Sequence, residues 1–137
     1  VRAILGMFVV RKKNGTGRLI VDGRKINKLM KINPKMELPS IFEVIDYVLG
    51  ENFFCTVDGK SFFNQFGLGE EVSDFFGANL AGTRGEFTTV KMKRMPMGWS
   101  WAPAIAQHVS NTLLQNGDRP LGMAWVDNFI SERGFRK

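Results

Sequence analysis

Two carboxylates in this chain stand where a carboxylate is costly. Asp127 lies inside the run Ala124-Trp125-Val126-Asp127-Asn128-Phe129-Ile130, bounded by Gly122 and Ser131. Asp58 closes a second apolar segment, Phe53-Phe54-Cys55-Thr56-Val57. Short apolar runs of this kind read as strands or a hairpin. An ionised carboxylate there loses solvation unless a cation or a strong set of donors compensates it. If the two strands are neighbours in one sheet, both carboxylates project at the same edge. Two close carboxylates repel, and the pKa of one rises, unless a divalent cation sits between them. A pair that holds magnesium can activate a hydroxyl nucleophile and steady a leaving pyrophosphate. The plainer reading makes each aspartate a turn cap, and for the pair alone that is the commoner case.

Composition narrows the choice of metal. One His and one Cys, Cys55, exclude the usual zinc sites and any internal disulfide. A metal would therefore be held by oxygen ligands, which points to Mg2+ or Mn2+. The length of 137 residues fits one domain or a piece of a larger one, and Val1 suggests a processed or excised segment. Apolar residues make up 44% and include 12 Phe, enough for a packed core. No apolar run of spanning length and no signal peptide is present, so the expectation is an intracellular protein with no membrane partner.

The net charge is +6, from 19 basic and 13 acidic residues. The excess is clustered. Arg11, Lys12, Lys13, Arg18, Arg24, Lys25, Lys28, Lys31 and Lys35 lie near the N-terminus with Asp22 the one acid among them. Lys91, Lys93 and Arg94 form a second group, and Arg133, Arg136 and Lys137 a third. Such asymmetry suits a polyanion, although a solvated basic face looks the same.

Elements can be assigned around these residues. Residues 4–10 and 18–22 read as strands of a hairpin with Asn14-Gly15 near its tip. Residues 28–39, with Pro34 and Pro39, look irregular. Ser40-Ile41-Phe42-Glu43 has the spacing of a capping box, and Gly50 marks the end of a short amphipathic helix. Residues 53–58, 73–80 and 86–92 read as strands, the last two joined by a turn from Gly82 to Gly85. A helix opens at Ser100 and runs to about Gln115. Ala102, Ile105, Ala106, Val109 and Leu113 form its apolar stripe. The fold class is α+β, a sheet with helices on one side.

Four blocks then occur in a fixed order over about residues 8–130. The first is the basic turn from Val10 to Gly17, then Arg18, then Val21-Asp22-Gly23-Arg24-Lys25-Ile26-Asn27. It resembles the fingers hairpin of one family, the reverse transcriptases of retroelements, which implies that Arg18 with Lys12 or Lys13 grips the triphosphate of an incoming nucleotide. A guanidinium forks onto phosphate oxygens, and lysine adds a point charge. The second block, Thr56-Val57-Asp58-Gly59-Lys60-Ser61-Phe62-Phe63-Asn64-Gln65, is similar to the motif of the first catalytic aspartate, here Asp58. Phe63 falls on the aromatic that implies a steric gate against a 2′-hydroxyl. As a residue by itself it reads as a core aromatic.

The third block, Arg94-Met95-Pro96-Met97-Gly98-Trp99-Ser100-Trp101-Ala102-Pro103-Ala104-Ile105-Ala106-Gln107, is the most specific. It implies that Met97 and Gly98 lie against the nucleotide, with glycine allowing close backbone approach. Ala106 stands where the family usually has Phe. The fourth block is the opening feature. The family has Tyr or Phe, any residue, then two Asp on a tight hairpin, whereas this chain has Trp125-Val126-Asp127-Asn128. The resemblance makes Asp58 and Asp127 metal ligands and puts Asn128 at the second aspartate. An amide offers one oxygen and no charge.

The resemblance implies an antiparallel sheet with helices packed on one side, as the fingers and palm portion of a right-hand polymerase. About residues 1–35 would be the fingers hairpin and about 36–130 the palm-containing part, with no thumb or RNase H domain. The expected activity is RNA-directed DNA synthesis by two-metal nucleotidyl transfer, with an RNA template, a DNA or RNA primer and a dNTP as partners. Motifs two and three together look similar to the tyrosine-recombinase-type (DIRS-like) retroelements. The alternative, favoured by Asn128, is a degenerate relative that only binds nucleic acid or a partner. A third is an RNA-copying RNA polymerase, a class that typically lacks a bulky gate.

Overall fold

The computed structural model describes residues 1–50, 53–115, 117, 118 and 120–132. Arg133, Arg136 and Lys137 of the third basic group lie outside the described residues. Two compact units interleave along the chain, Val1–Asn33 with Phe63–Ala102, and Pro34–Phe62 with Pro103–Lys137.

The first unit opens with strands β1 (Gly6–Arg11) and β2 (Gly17–Asp22), paired antiparallel from Gly6 opposite Asp22 to Arg11 opposite Gly17. The turn between them is the one expected from Asn14-Gly15. Gly15 takes φ +82°, and Asn14 Oδ1 accepts from the N–H and the hydroxyl of Thr16 at 3.2 and 2.7 Å. Helix α1 (Arg24–Leu29) follows at once and was not legible in advance. It has no side-chain cap, and it is held by burying Ile26.

Ile26 packs with Leu5, Val21 and Phe76 into the core of this unit, and Trp99 meets Phe76 edge-on at 5.2 Å. The expected strand at 73–80 is shorter than read. Helix α2 (Ile41–Leu49) belongs to the other unit, and the end of α3 (Glu70–Ser73) with the turn after it takes the first part of this segment. Glu70 and Glu71 stand at the positive end of α3, and Ser73 Oγ donates to Met92 O at 2.6 Å. Strands β4 (Gly77–Ala81) and β5 (Phe87–Lys91) then form a hairpin, with Lys91 bridging Glu70 and Asp74 at 2.9 and 3.0 Å.

The second unit holds β3 (Cys55–Asp58), α4 (Ala102–Leu114), β6 (Met123–Trp125) and β7 (Asn128–Ser131). Its strands form a three-stranded antiparallel sheet in the order β3-β7-β6. The capping box of α2 is present as read. Ser40 N–H donates to Glu43 Oε2 at 2.6 Å, and Glu43 N–H to Ser40 Oγ at 3.2 Å. That backbone donor holds the Glu43 carboxyl below its ordinary range. Val57 and Phe129, cross-strand partners, share an open cavity of about 210 Å³ with Leu113, Leu114 and Leu121.

The fold is α+β and its paired strands are antiparallel, with one isolated parallel bridge between Ile4 and Gly77, but they do not form a single sheet. The described strands divide into two hairpins and one three-stranded sheet. Hydropathy marks a strand without marking its partner, so the sequence reading merged what the chain keeps apart. No helix among the described residues is long and apolar enough to cross a membrane.

Candidate functional site

The register of β3 against β7 places the first carboxylate. Cys55 pairs with Ser131, Thr56 with Ile130, Val57 with Phe129, and Asp58 with Asn128. Strands β6 and β7 close at Trp125 opposite Asn128, which leaves Val126-Asp127 as a two-residue turn. Gly59 N–H donates to the Asp127 carbonyl at 2.7 Å, so the backbones that carry the two aspartates are bonded to each other. A Cβ at position 59 would lie 2.8 Å from the Phe62 ring and 3.2 Å from Asp127 O, which excludes a larger residue there. The Phe62 ring meets Phe129 edge-on at 6.0 Å and closes the apolar side of this junction.

The turn is strained. Val126 has φ +59°, while Asp127 does not have a positive φ. A positive angle at the first central residue alone is the pattern of a type II′ turn, whose usual occupant is glycine. A β-branched residue there costs on the order of 1–3 kcal/mol. Helix α4 supplies compensation. Gln107 Oε1 accepts from Val126 N–H at 2.6 Å, Gln107 Nε2 donates to Ala124 O at 2.9 Å, and Ser110 Oγ donates to Val126 O at 2.5 Å. Three bonds at about 1 kcal/mol each are of the same size as the strain.

Asp58 and Asn128 are exposed and Asp127 is half-buried. The donors this junction can offer are two carboxylates and one amide oxygen, all hard oxygen atoms, and such a set fits Mg2+ or Mn2+ rather than zinc. Among the described residues no group of three or more His, Cys, Asp and Glu is placed to share an ion. The junction therefore carries two formal negative charges, with the neutral Asn128 amide beside them.

The remaining candidate residues lie in the first unit. Lys12, Lys13 and Arg18 line an open cavity of about 490 Å³ at the hairpin tip, together with Arg11. All are exposed, which suits a polyanion that must arrive from solvent. Phe63 is half-buried in the 3-10 turn Phe62–Gln65. Met97 is exposed beside Gly98, whose φ of +103° and approach to Val21 O, 2.6 Å from a built Cβ, admit only glycine.

Sequence reasoning assigned no role to five residues here. Asn27 Nδ2 donates to Gly98 O at 2.9 Å, and Ser100 N–H donates to Asn27 Oδ1 at 2.8 Å, so one amide pins the Gly98 loop to helix α1. Asn27 did stand in the quoted motif, which was the available signal. Gln107 and Ser110 are 2% and 0% exposed, and no pattern in the sequence marks them as partners of a distant turn. Asp22 and Arg24 form a forked ion pair at 2.6 Å beside a cavity of about 310 Å³ that Gly98 also lines. The Arg24 side chain, then its backbone N–H, lowers the Asp22 carboxyl to about 2.

No family model matches the chain. The Transposon Tf2-7 polyprotein of Schizosaccharomyces pombe is 32% identical over 126 residues, which cover 90% of this chain and 9% of that protein. The Tf2-3 polyprotein of the same organism is 31% identical over the same length. Among solved structures, prototype foamy virus protease-reverse transcriptase superposes with a TM-score of 0.71 at 17% identity, covering 95% of this chain and 16% of that one. The foamy viral protease-reverse transcriptase in complex with dsDNA gives 0.72 at 18% identity, over 93% of this chain and 25% of that one. The chain is related to the polyproteins of retroelements. This retroelement relative spans about 9% of the length of the curated polyproteins it matches. It shares the fold of a part of the foamy virus enzyme.

Proposed function

We propose that this chain is the fingers and palm core of a reverse transcriptase, acting as part of a longer retroelement polyprotein. About residues 1–35 form the fingers hairpin and about 36–130 the palm-containing part. The observation that carries the reading is the β3–β7 register, which sets Asp58 across from Asn128 and one residue from Asp127. Two carboxylates on neighbouring backbones form the kind of oxygen site a divalent cation requires. Asp58 and Asp127 hold the ion, with the Asn128 amide oxygen as a neutral third donor. A bound Mg2+ or Mn2+ supplies Lewis-acid stabilisation of charge on the primer 3′-oxygen and the leaving pyrophosphate.

The other residues bind and select. Arg18, Lys12 and Lys13 neutralise the triphosphate of a dNTP, as a basic hairpin tip can without desolvating its own charges. Met97 and Gly98 provide a flat backbone surface for the nucleotide, and Asn27 keeps that surface in place. Phe63 excludes a 2′-hydroxyl. Template RNA and the primer are the polyanions that the N-terminal basic cluster meets. The complex of the foamy viral enzyme with dsDNA supports nucleic acid as the partner class.

One observation favours a second reading, a relative that binds nucleic acid without copying it. Asn128 removes a charge from a site whose chemistry depends on charge. Primer extension on an RNA template with Mg2+ or Mn2+, by the chain in its polyprotein context, separates the two. Extension that disappears in Asp58→Ala and Asp127→Ala establishes the polymerase. No extension, even with Asn128→Asp, leaves the binding reading. Phe63→Val tests the gate in the same assay, and unchanged sugar preference removes Phe63 from that role.

A further inference from the structure

We propose that Gln107 and Ser110 are positioning residues that lock the Val126-Asp127 turn in its left-handed form and so fix where Asp127 presents its carboxylate. Hairpin pairing ends at Trp125 opposite Asn128, so the N–H and C=O of Val126 lie outside the strand ladder. Helix α4 supplies both partners. The N–H goes to Gln107 Oε1 at 2.6 Å and the C=O receives Ser110 Oγ at 2.5 Å. Gln107 and Ser110 are spaced i, i+3 on one helix face, and Asn111 at i+4 completes the set by accepting from Gln107 Nε2 at 2.9 Å. The same Nε2 donates to Ala124 O at 2.9 Å, so one amide grips the hairpin on both sides of Trp125. The amide cannot turn over without losing these bonds, because its oxygen serves a donor and its nitrogen serves two acceptors.

The consequence is specific to Asp127. Of the described residues other than glycine, only Ser61 and Val126 have a positive φ. A turn at Val126 that relaxed to negative φ would redirect the peptide on which Asp127 is built, while β3 and Asp58 would keep their place through the Val57–Phe129 and Thr56–Ile130 pairs. The clamp therefore acts directly on Asp127, and reaches Asp58 only through the bond from Gly59 N–H to Asp127 O. Its effect on metal rests on the reading of Asp127 as a ligand, whereas its effect on the turn does not.

Two measurements on the full 137-residue chain test this. The first is the intraresidue HN–Hα nuclear Overhauser effect at Val126, which is strong only at positive φ. The second is the dissociation constant for Mn2+ alone. Gln107→Leu removes the clamp, Ser110→Ala removes one bond of it, and Gln107→Glu keeps the acceptor for Val126 N–H but not the donor to Ala124. The expected result is a weak Val126 effect and about 10- to 100-fold weaker Mn2+ binding in Gln107→Leu. A smaller loss is expected in Ser110→Ala, and a retained Val126 effect in Gln107→Glu. If Gln107→Leu does not fold, Ser110→Ala and Gln107→Glu carry the comparison. A strong Val126 effect in folded Gln107→Leu, or Mn2+ binding unchanged within about twofold in both clamp variants, overturns the proposal. Absence of Mn2+ binding by the unaltered chain overturns the metal reading, while the Val126 signal still decides the clamp.

Discussion

Asp58 on β3 stands directly across from Asn128 on β7, as the last pair of that ladder. One carboxylate and one amide thus face each other where two carboxylates would repel. Like charges directly opposite destabilise a strand pair, and an amide removes that cost. The same amide leaves the proposed cation site with one charge fewer than a second carboxylate would give it. Asn128→Asp is accordingly expected to lower metal-free stability by roughly 0.2–1 kcal/mol and to tighten Mn2+ binding. Thermal unfolding with and without Mn2+ reads both effects. A variant more stable than the parent without metal, with no gain in the presence of Mn2+, contradicts the assignment.

Asn27 is expected to matter for the Gly98 loop more than its exposure suggests. Its amide makes two bonds to segments more than 70 positions away in sequence, to Gly98 O and from Ser100 N–H. Asn27→Ala should cost about 1–2 kcal/mol in urea unfolding. Asn27→Asp keeps the acceptor for Ser100 N–H and loses the donor to Gly98 O, so it should cost roughly half as much. Equal losses in the two variants would mean that the bond to Gly98 contributes nothing.

The Asp22–Arg24 pair gives a prediction in pH. The folded-state carboxyl lies near 2, below the ordinary value of 3.8, because the Arg24 guanidinium and N–H favour the charged form. A depressed carboxyl contributes stability that is fully present above the unfolded value and is lost as pH falls through the folded one. The contribution should fade between about pH 4 and pH 2. The Asp22 carboxyl carbon, followed by NMR, should titrate near 2, and Arg24→Ala should raise that midpoint part of the way toward 3.8, because the backbone N–H at position 24 still donates to Asp22. A midpoint that does not move in Arg24→Ala would assign the shift to something other than the pair.

Local chemistry was the legible part of this chain. Ser40 and Glu43 announced their capping box, Asn14-Gly15 its turn, and the apolar runs that end at Asp58 and enclose Asp127 their strands. Each of these is decided within a few residues. The pairing of Asp58 with Asn128 was legible only as a condition, since it depends on which strands become neighbours. Helices α1 and α3, of 6 and 4 residues, are shorter than a hydrophobic period can reveal. Gln107 was quoted as part of a motif, yet its role depends on a turn 19 positions later. Buried polar side chains that serve distant backbone groups leave no periodic trace.

The central claim is that Asp58 and Asp127 form one cation site. Paramagnetic Mn2+, titrated into the isotopically labelled chain, tests it most directly, because the ion broadens only the amide signals near where it binds. Early loss of the signals of Asp58, Gly59, Asp127 and Asn128 is expected, and their retention in Asp58→Asn or Asp127→Asn under the same conditions. Loss centred elsewhere, for example at Glu70 and Asp74, or an unchanged pattern in both variants, would contradict it.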